Sequence, residues 1–198
     1  MSRGKLLVIC VALALLATGS ALAQTYQGPY KVDYFRNANT AGAPDATVTL
    51  DNPGTAGGYL CADIFIFDPY EEMSECCSCA LSPDDLRTLS VNGDLTSNPL
   101  TGVALSSGVI KIVSSAEYHG YCAAPTSSAY VVTTPEIQEW VTHIQAPTDS
   151  DAYVVTEDET QSVDLGSSGT ELRNLETQCN SIYRVGSGRG ICSCGTGY

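Results

Sequence analysis

The sequence predicts a mainly-β fold: a disulfide-stabilised, immunoglobulin-like β-sandwich with one or two packed short helices. Three observations predict it. Short runs rich in β-branched and aromatic residues recur between turn signals. Eight cysteines follow an N-terminal export signal, as in secreted domains held by bridges. Helical spacing is confined to two segments.

The chain opens MSRGKLLVICVALALLATGSALAQ. Arg3 and Lys5 precede an apolar run from Leu6 to Ala17, and Ala21-Leu22-Ala23 has the small-x-small pattern of a cleavage site. The run is shorter than the ~18 residues of a membrane helix, and no later segment approaches that length. Residues 1–23 therefore read as a signal peptide, and Gln24 as the mature N-terminus of a protein that is secreted, extracellular or on the cell surface. Cys10 sits inside the apolar run without a lipoprotein signal.

Residues 24–44 (QTYQGPYKVDYFRNANTAGAP) are Tyr-rich and polar and are bracketed by Pro29 and Pro44. They read as an extended arm. Tyr30, Val32 and Tyr34 alternate on one face of a strand, which can complete either its own sandwich or that of a neighbouring copy.

The sandwich domain is expected over residues 45–198. "ATVTLDNPG" alternates Val48 and Leu50 with Thr47 and Thr49 and ends in a turn. "YLCADIFIFD" is apolar on both faces, as in a strand covered on both sides. The Asn92-Gly93 pair in "LRTLSVNGDL" signals a hairpin. "GVALSSGVIKIVSS" reads as two short strands or a hairpin around Ser106–Gly108, and "SAYVVTT" and "DAYVVTED" are further strands. One helix is expected in "TTPEIQEWVTHIQ", where Thr134 caps, Pro135 opens the first turn, and Ile137, Trp140, Val141 and Ile144 share a face. A second is expected in "SSGTELRNLETQCNSIY", with Ser168 and Glu171 at capping-box spacing and Leu172, Leu175, Cys179 and Ile182 in one stripe.

The cysteines remaining after cleavage are Cys61, Cys76, Cys77, Cys79, Cys122, Cys179, Cys192 and Cys194. In an oxidising compartment they read as bridges rather than as a zinc site built on Cys76, Cys79, Cys192 and Cys194. Near neighbours in sequence reach disulfide geometry only with strain. With Cys76–Cys79 set aside as well, five clustered cysteines face three isolated ones, so at least one bridge must join 76–79 to 192–194.

Without Arg3 and Lys5, seven basic residues face 22 acidic ones, a net charge near −15. That disfavours nucleic acid, which needs clustered Lys and Arg, and anionic membrane surfaces. No nucleophile elbow or nucleotide loop is present: "VGSGRGIC" lacks the Lys-Ser/Thr of a phosphate loop. His119, beside Glu117, and His143 are the histidines available for catalysis. Three acidic groups, Asp68/Glu71/Glu72, Asp149/Asp151 and Glu157/Asp158/Glu159, lack EF-hand spacing and read as solvated loop acids. No catalytic residue, metal ligand or cofactor site is assigned.

"GYLCADIFIFDPYEEMSECCSCALSPDDLRTLSVNGDLTSNPLTG", "WVTHIQ" and "GSGRGICSCGTG" resemble a family of secreted, cysteine-rich acidobacterial proteins, centred on "MSECCSC". The resemblance implies a bacterial, exported, disulfide-bonded protein and carries no reaction. The expected function is non-enzymatic and structural: self-association through β-strand contacts, as in the subunit of a surface filament or matrix. The alternative is an extracellular module that binds carbohydrate or calcium.

Overall fold

The computed structural model describes residues 28–55, 57–134, 136–146, 152–166 and 169–195. Residues 1–23, expected to be a signal peptide, and Gln24, Tyr26, Pro135, Asp149, Asp151 and Ser168 lie outside the described residues. Among the described residues, nine strands form two antiparallel sheets: β1 (Tyr30–Arg36), β2 (Thr47–Asp51), β3 (Leu60–Phe67), β4 (Met73–Leu81), β5 (Leu86–Ser90), β6 (Ser107–Ala116), β7 (Val132–Thr133), β8 (Gln138–Gln145) and β9 (Val154–Glu159). The first sheet runs β1-β6-β3-β4, with β7 also pairing β6, and the second runs β5-β2-β8-β9.

Alternation explains the layers. Ile64 and Ile66 of β3, Ile110 and Ile112 of β6, Val48 and Leu50 of β2, and Val141 of β8 meet between the sheets in one buried core. The other face of the first sheet, with Phe65, Phe67 and Val113, is covered by helix α1 (Thr170–Val185) through Leu175, Cys179 and Ile182. All eight residues of β3 are therefore buried. Glycine ends α1: Gly186 takes the left-handed conformation, φ 66°, that closes a helix without a Cβ clash.

The cysteine spacing follows from the pleat of β4. A strand turns successive side chains to opposite faces. Cys76 thus faces α1 and bridges Cys179, whereas Cys77 and Cys79 share the other face and bridge Cys192 and Cys194. The fourth bridge is Cys61–Cys122, and across the four bridges the Cα separations run from 5.3 to 5.9 Å. The tail runs parallel to β4 at Cys76–Ile191, so the outer edge of that strand is covered.

Several expectations are corrected. "TTPEIQEWVTHIQ" carries strand β8, not a helix: Glu139, Val141 and His143 turn inward while Trp140 and Thr142 lie opposite. Pairing with both β2 and β9 satisfies its backbone on two edges, which outweighs the helical spacing of its apolar residues. Asn92-Gly93 sits in a single π-helical turn, Val91–Leu95, held by the Ser90 hydroxyl accepting from the Gly93 N–H, rather than in a hairpin. Residues 107–116 form one ten-residue strand, not two. For the arm, which the sequence left open between its own sandwich and that of a neighbouring copy, residues 30–36 pair within the chain. Tyr30–Arg36 is an edge strand of the chain's own first sheet, because Phe35 is fully buried between the sheets and Tyr30 beneath α1.

Candidate functional site

The strand β1 is the site that the arm residues build. Its seven residues pair with β6 from Tyr30↔Val113 to Arg36↔Ser107. Tyr30 donates its hydroxyl to Glu171 Oε1 at 2.9 Å, and Val32 packs against the helix-side core. Tyr34 is 45% exposed, and its ring stacks on His143 at 4.4 Å, with the Arg36 guanidinium 5.4 Å from the Tyr34 centroid. Phe35 lies against Gly108, where a Cβ would come within 2.1 Å of the Phe67 carbonyl oxygen and 2.8 Å of the Phe35 ring. Only glycine lets the two strands close over that ring.

The opposite side of β1 forms a buried polar seam. Lys31 donates from Nζ to the Thr160 carbonyl at 3.2 Å and to the Ser162 hydroxyl at 3.4 Å. Asp33 accepts from the Thr160 hydroxyl at 2.9 Å and lies 3.5 Å from His143 Nε2. Glu139, fully buried on β8, completes the group. Burial pushes its carboxyl up to about 8, Lys31 opposes the rise and Asp33 adds to it. Burial lowers the Lys31 amine, against the pull of Glu139 and Glu159. The seam holds residues 160–163 along the start of β1, where Val163 donates to the Tyr30 carbonyl. Its residues Lys31 and Asp33, with Phe35, lie on the face opposite the Tyr30-Val32-Tyr34 alternation read in the sequence, and were not singled out there. The partners on β8 were hidden by the helical reading of that segment.

The remaining candidates are dispersed. His119 sits in a turn with φ 52° and packs edge-on against Tyr118, which also meets Tyr121 and Tyr130 edge-to-face. These rings pack on one another and form no flat row. Among the described residues, no hydrogen bond joins either histidine to a serine or threonine hydroxyl. Asp68 Oδ1 accepts from the Tyr70 and Glu72 N–H groups, so it serves the β3–β4 turn. Glu157, Asp158 and Glu159 follow one another along β9 and so alternate between its faces. Cys77, Cys79 and Cys194 sulfurs cluster within 4.8 Å because two bridges lie side by side. "VGSGRGIC" is the turn that leads from α1 to the bridged tail, with positive φ at Gly186, Gly188 and Gly190.

One cleft of about 490 Å³ opens between α1 and the β3–β4 turn, lined by Phe67, Asp68, Lys111, Glu171, Asn174 and Gln178 among others. There the Lys111 amine lies 2.6 Å from Glu171 Oε1 and 4.8 Å from the Phe67 ring centroid. Lys111 and the Tyr30 hydroxyl together hold the Glu171 carboxyl below the usual range, overcoming its partial burial. No helix among the described residues is long and apolar enough to cross a membrane. Comparison with models of known protein families, with curated proteins and with solved structures finds no match.

Proposed function

We propose that the chain is a non-enzymatic structural protein of the extracellular space, whose copies associate by exchanging β1 into a surface filament or matrix. The observation that carries this reading is covalent. The four bridges tie together β3, β4, the 122 loop, α1 and the tail, and none reaches β1. β1 can therefore leave its sheet with every disulfide intact, and the order β6-β3-β4 survives its departure. The β1 of a second copy can make the same seven backbone pairs in its place. The connector supports the reading: residues 40–42, 44 and 45 are exposed, and Gly42 adopts φ 82° in open space. If exchange is head-to-tail and does not close into a ring, it propagates. The four bridges are consistent with an oxidising, extracellular setting.

A trapped pair tests the exchange. Arg36 and Ser107 face each other at the end of the β1–β6 register. In an Arg36→Cys/Ser107→Cys variant, oxidation of assembled material gives a ladder of covalent multimers on a non-reducing gel if β1 is exchanged. Only covalent monomer, from material that is assembled, overturns the reading. So does a strictly monomeric protein at high concentration.

A further inference from the structure

We infer that the cleft between α1 and the β3–β4 turn is a binding site for a neutral saccharide. This goes beyond strand exchange: the cleft lies on the helix side of the first sheet, its lining comes from the end of β3, the β3–β4 turn, β6 and α1, and β1 contributes only the Tyr30 hydroxyl to Glu171, which an exchanged β1 supplies in the same place.

The size is right for a small ligand: about 490 Å³ falls within the range of small-molecule clefts. Its apolar lining is Phe67, Val109 and Leu175. The same lining holds groups that form hydrogen bonds in both senses. Carboxylates accept, the Lys111 amine donates, and the amides of Asn174 and Gln178 do both. A polyol presents this pattern in return, because each hydroxyl donates and accepts while the ring C–H faces are apolar. A lipid or a large aromatic ligand would leave most of these polar groups unpaired.

The walls are also preorganised. Glu171 is fixed by Lys111 at 2.6 Å and by Tyr30 at 2.9 Å, and Asp68 Oδ1 by two backbone N–H groups at 2.8 and 2.9 Å. Glu71, which also lines the cleft, takes φ 68° as the closing residue of the β3–β4 turn, where its N–H donates to the Asp68 carbonyl at 3.2 Å. Charge selects against anions. Three carboxylates, Asp68, Glu71 and Glu171, face one amine that is already paired, so acidic glycans and phosphates are repelled. Fixed hydrogen-bonding groups lower the ordering cost of binding.

The test is isothermal titration calorimetry on the mature chain. The probes are glucose, galactose, mannose, N-acetylglucosamine and their disaccharides, with glucosamine and glucuronic acid as charged comparators. At least one neutral probe is expected to bind with Kd of about millimolar or tighter. Asn174→Ala/Gln178→Ala, which alters two exposed positions on α1, is expected to weaken that binding by about tenfold or more with unchanged thermal stability. Glu71→Gln, at the rim, is expected to weaken it without affecting the fold. Absence of heat with every neutral probe overturns the inference, as does binding that survives the double variant. Binding confined to glucosamine or glucuronic acid overturns the assignment to a neutral ligand. Because binding is read on whatever assembly state exists, failure here leaves strand exchange untouched, and failure of exchange leaves the cleft untouched.

Discussion

Gly108 shows how one missing Cβ positions an element. It sits opposite Phe35 in the β1–β6 register, and an added methyl would collide with the Phe67 carbonyl oxygen at 2.1 Å as well as with the Phe35 ring. Backbone cannot yield as a flexible side chain can, so Phe35 would be pushed out of the core. Gly108→Ala is expected to destabilise the fold by about 1–3 kcal/mol, measured by urea unfolding. It should also loosen β1, raising hydrogen exchange at Tyr30–Arg36 more than at β3. A variant as stable as the parent would mean that this contact relaxes without cost. Asp63 is a second single residue with wide effect. It is buried on the helix side of β3, accepts from the Ser115 hydroxyl at 2.6 Å, and has Glu176 as a charged neighbour. Burial pushes its carboxyl up to about 7, with Ser115 opposing the rise and Glu176 adding to it.

At the scale of elements, the paired bridges between β4 and the tail act as one clamp. Cys77–Cys192 and Cys79–Cys194 each span a separation of 115 residues. In the chain-entropy account, an isolated bridge over so long a loop contributes about 4–5 kcal/mol. With one of the two intact, however, the other closes only a few extra residues and restricts the unfolded chain little further. Cys79→Ala/Cys194→Ala and Cys77→Ala/Cys192→Ala are each expected to cost about 1–2 kcal/mol, mostly through lost packing. Removing both pairs should cost clearly more than the sum of the two. A double-mutant cycle under oxidising conditions measures the difference, and strictly additive costs would show that the bridges act separately. The Cys76–Cys179 bridge, on the opposite face of β4, holds α1; because Cys76 adjoins Cys77 and Cys179 precedes Cys192 by only 13 positions (192 − 179), it already shortens the loop that the clamp closes and should couple to it.

For the whole molecule, buried acids set the response to pH. Burial raises Asp63 to about 7, Glu75 to about 7 and Glu139 to about 8. The groups facing them are Ser115, Ser78 and Glu176 for Asp63, the Asn98 N–H for Glu75, and Lys31 and Asp33 for Glu139. A raised carboxyl keeps its proton in the folded state after the unfolded chain has released it. Stability is then present below the unfolded values near 4 and is lost as pH rises through the folded ones. Glu171 acts in the opposite sense, since its lowered carboxyl favours the fold above the ordinary glutamate range. The unfolding free energy should therefore fall between about pH 5 and about pH 8.5, as read by denaturant titration at both values. Asp63→Asn should flatten the decline and leave the acid side unchanged. A fold more stable at the alkaline end would show that these carboxyls are ionised in the native state.

The sequence by itself determined the fold class and the helix in "TELRNLETQCNSIY" through local periodicity, and the use of cysteine through the even thiol count after an export signal. An alternating run has one inward face whatever it packs against, but the strand β4 that divides Cys76 from Cys77 and Cys79 was not among the strands read in the sequence. Only the tertiary structure decided what faces what. The segment around Trp140 satisfies helical and extended spacing alike, and it becomes β8 because β2 and β9 complete its backbone hydrogen bonds. The arm lacks enough aliphatic residues to form a core alone, yet Phe35 finds one over Gly108, 73 positions away in the register. The seam of Lys31, Asp33, Glu139 and His143, and the cleft beside Lys111, bring together residues from β1, β6, β8 and α1. Such convergence leaves no spacing in the chain to read, because the side chains are neighbours only after both sheets have formed.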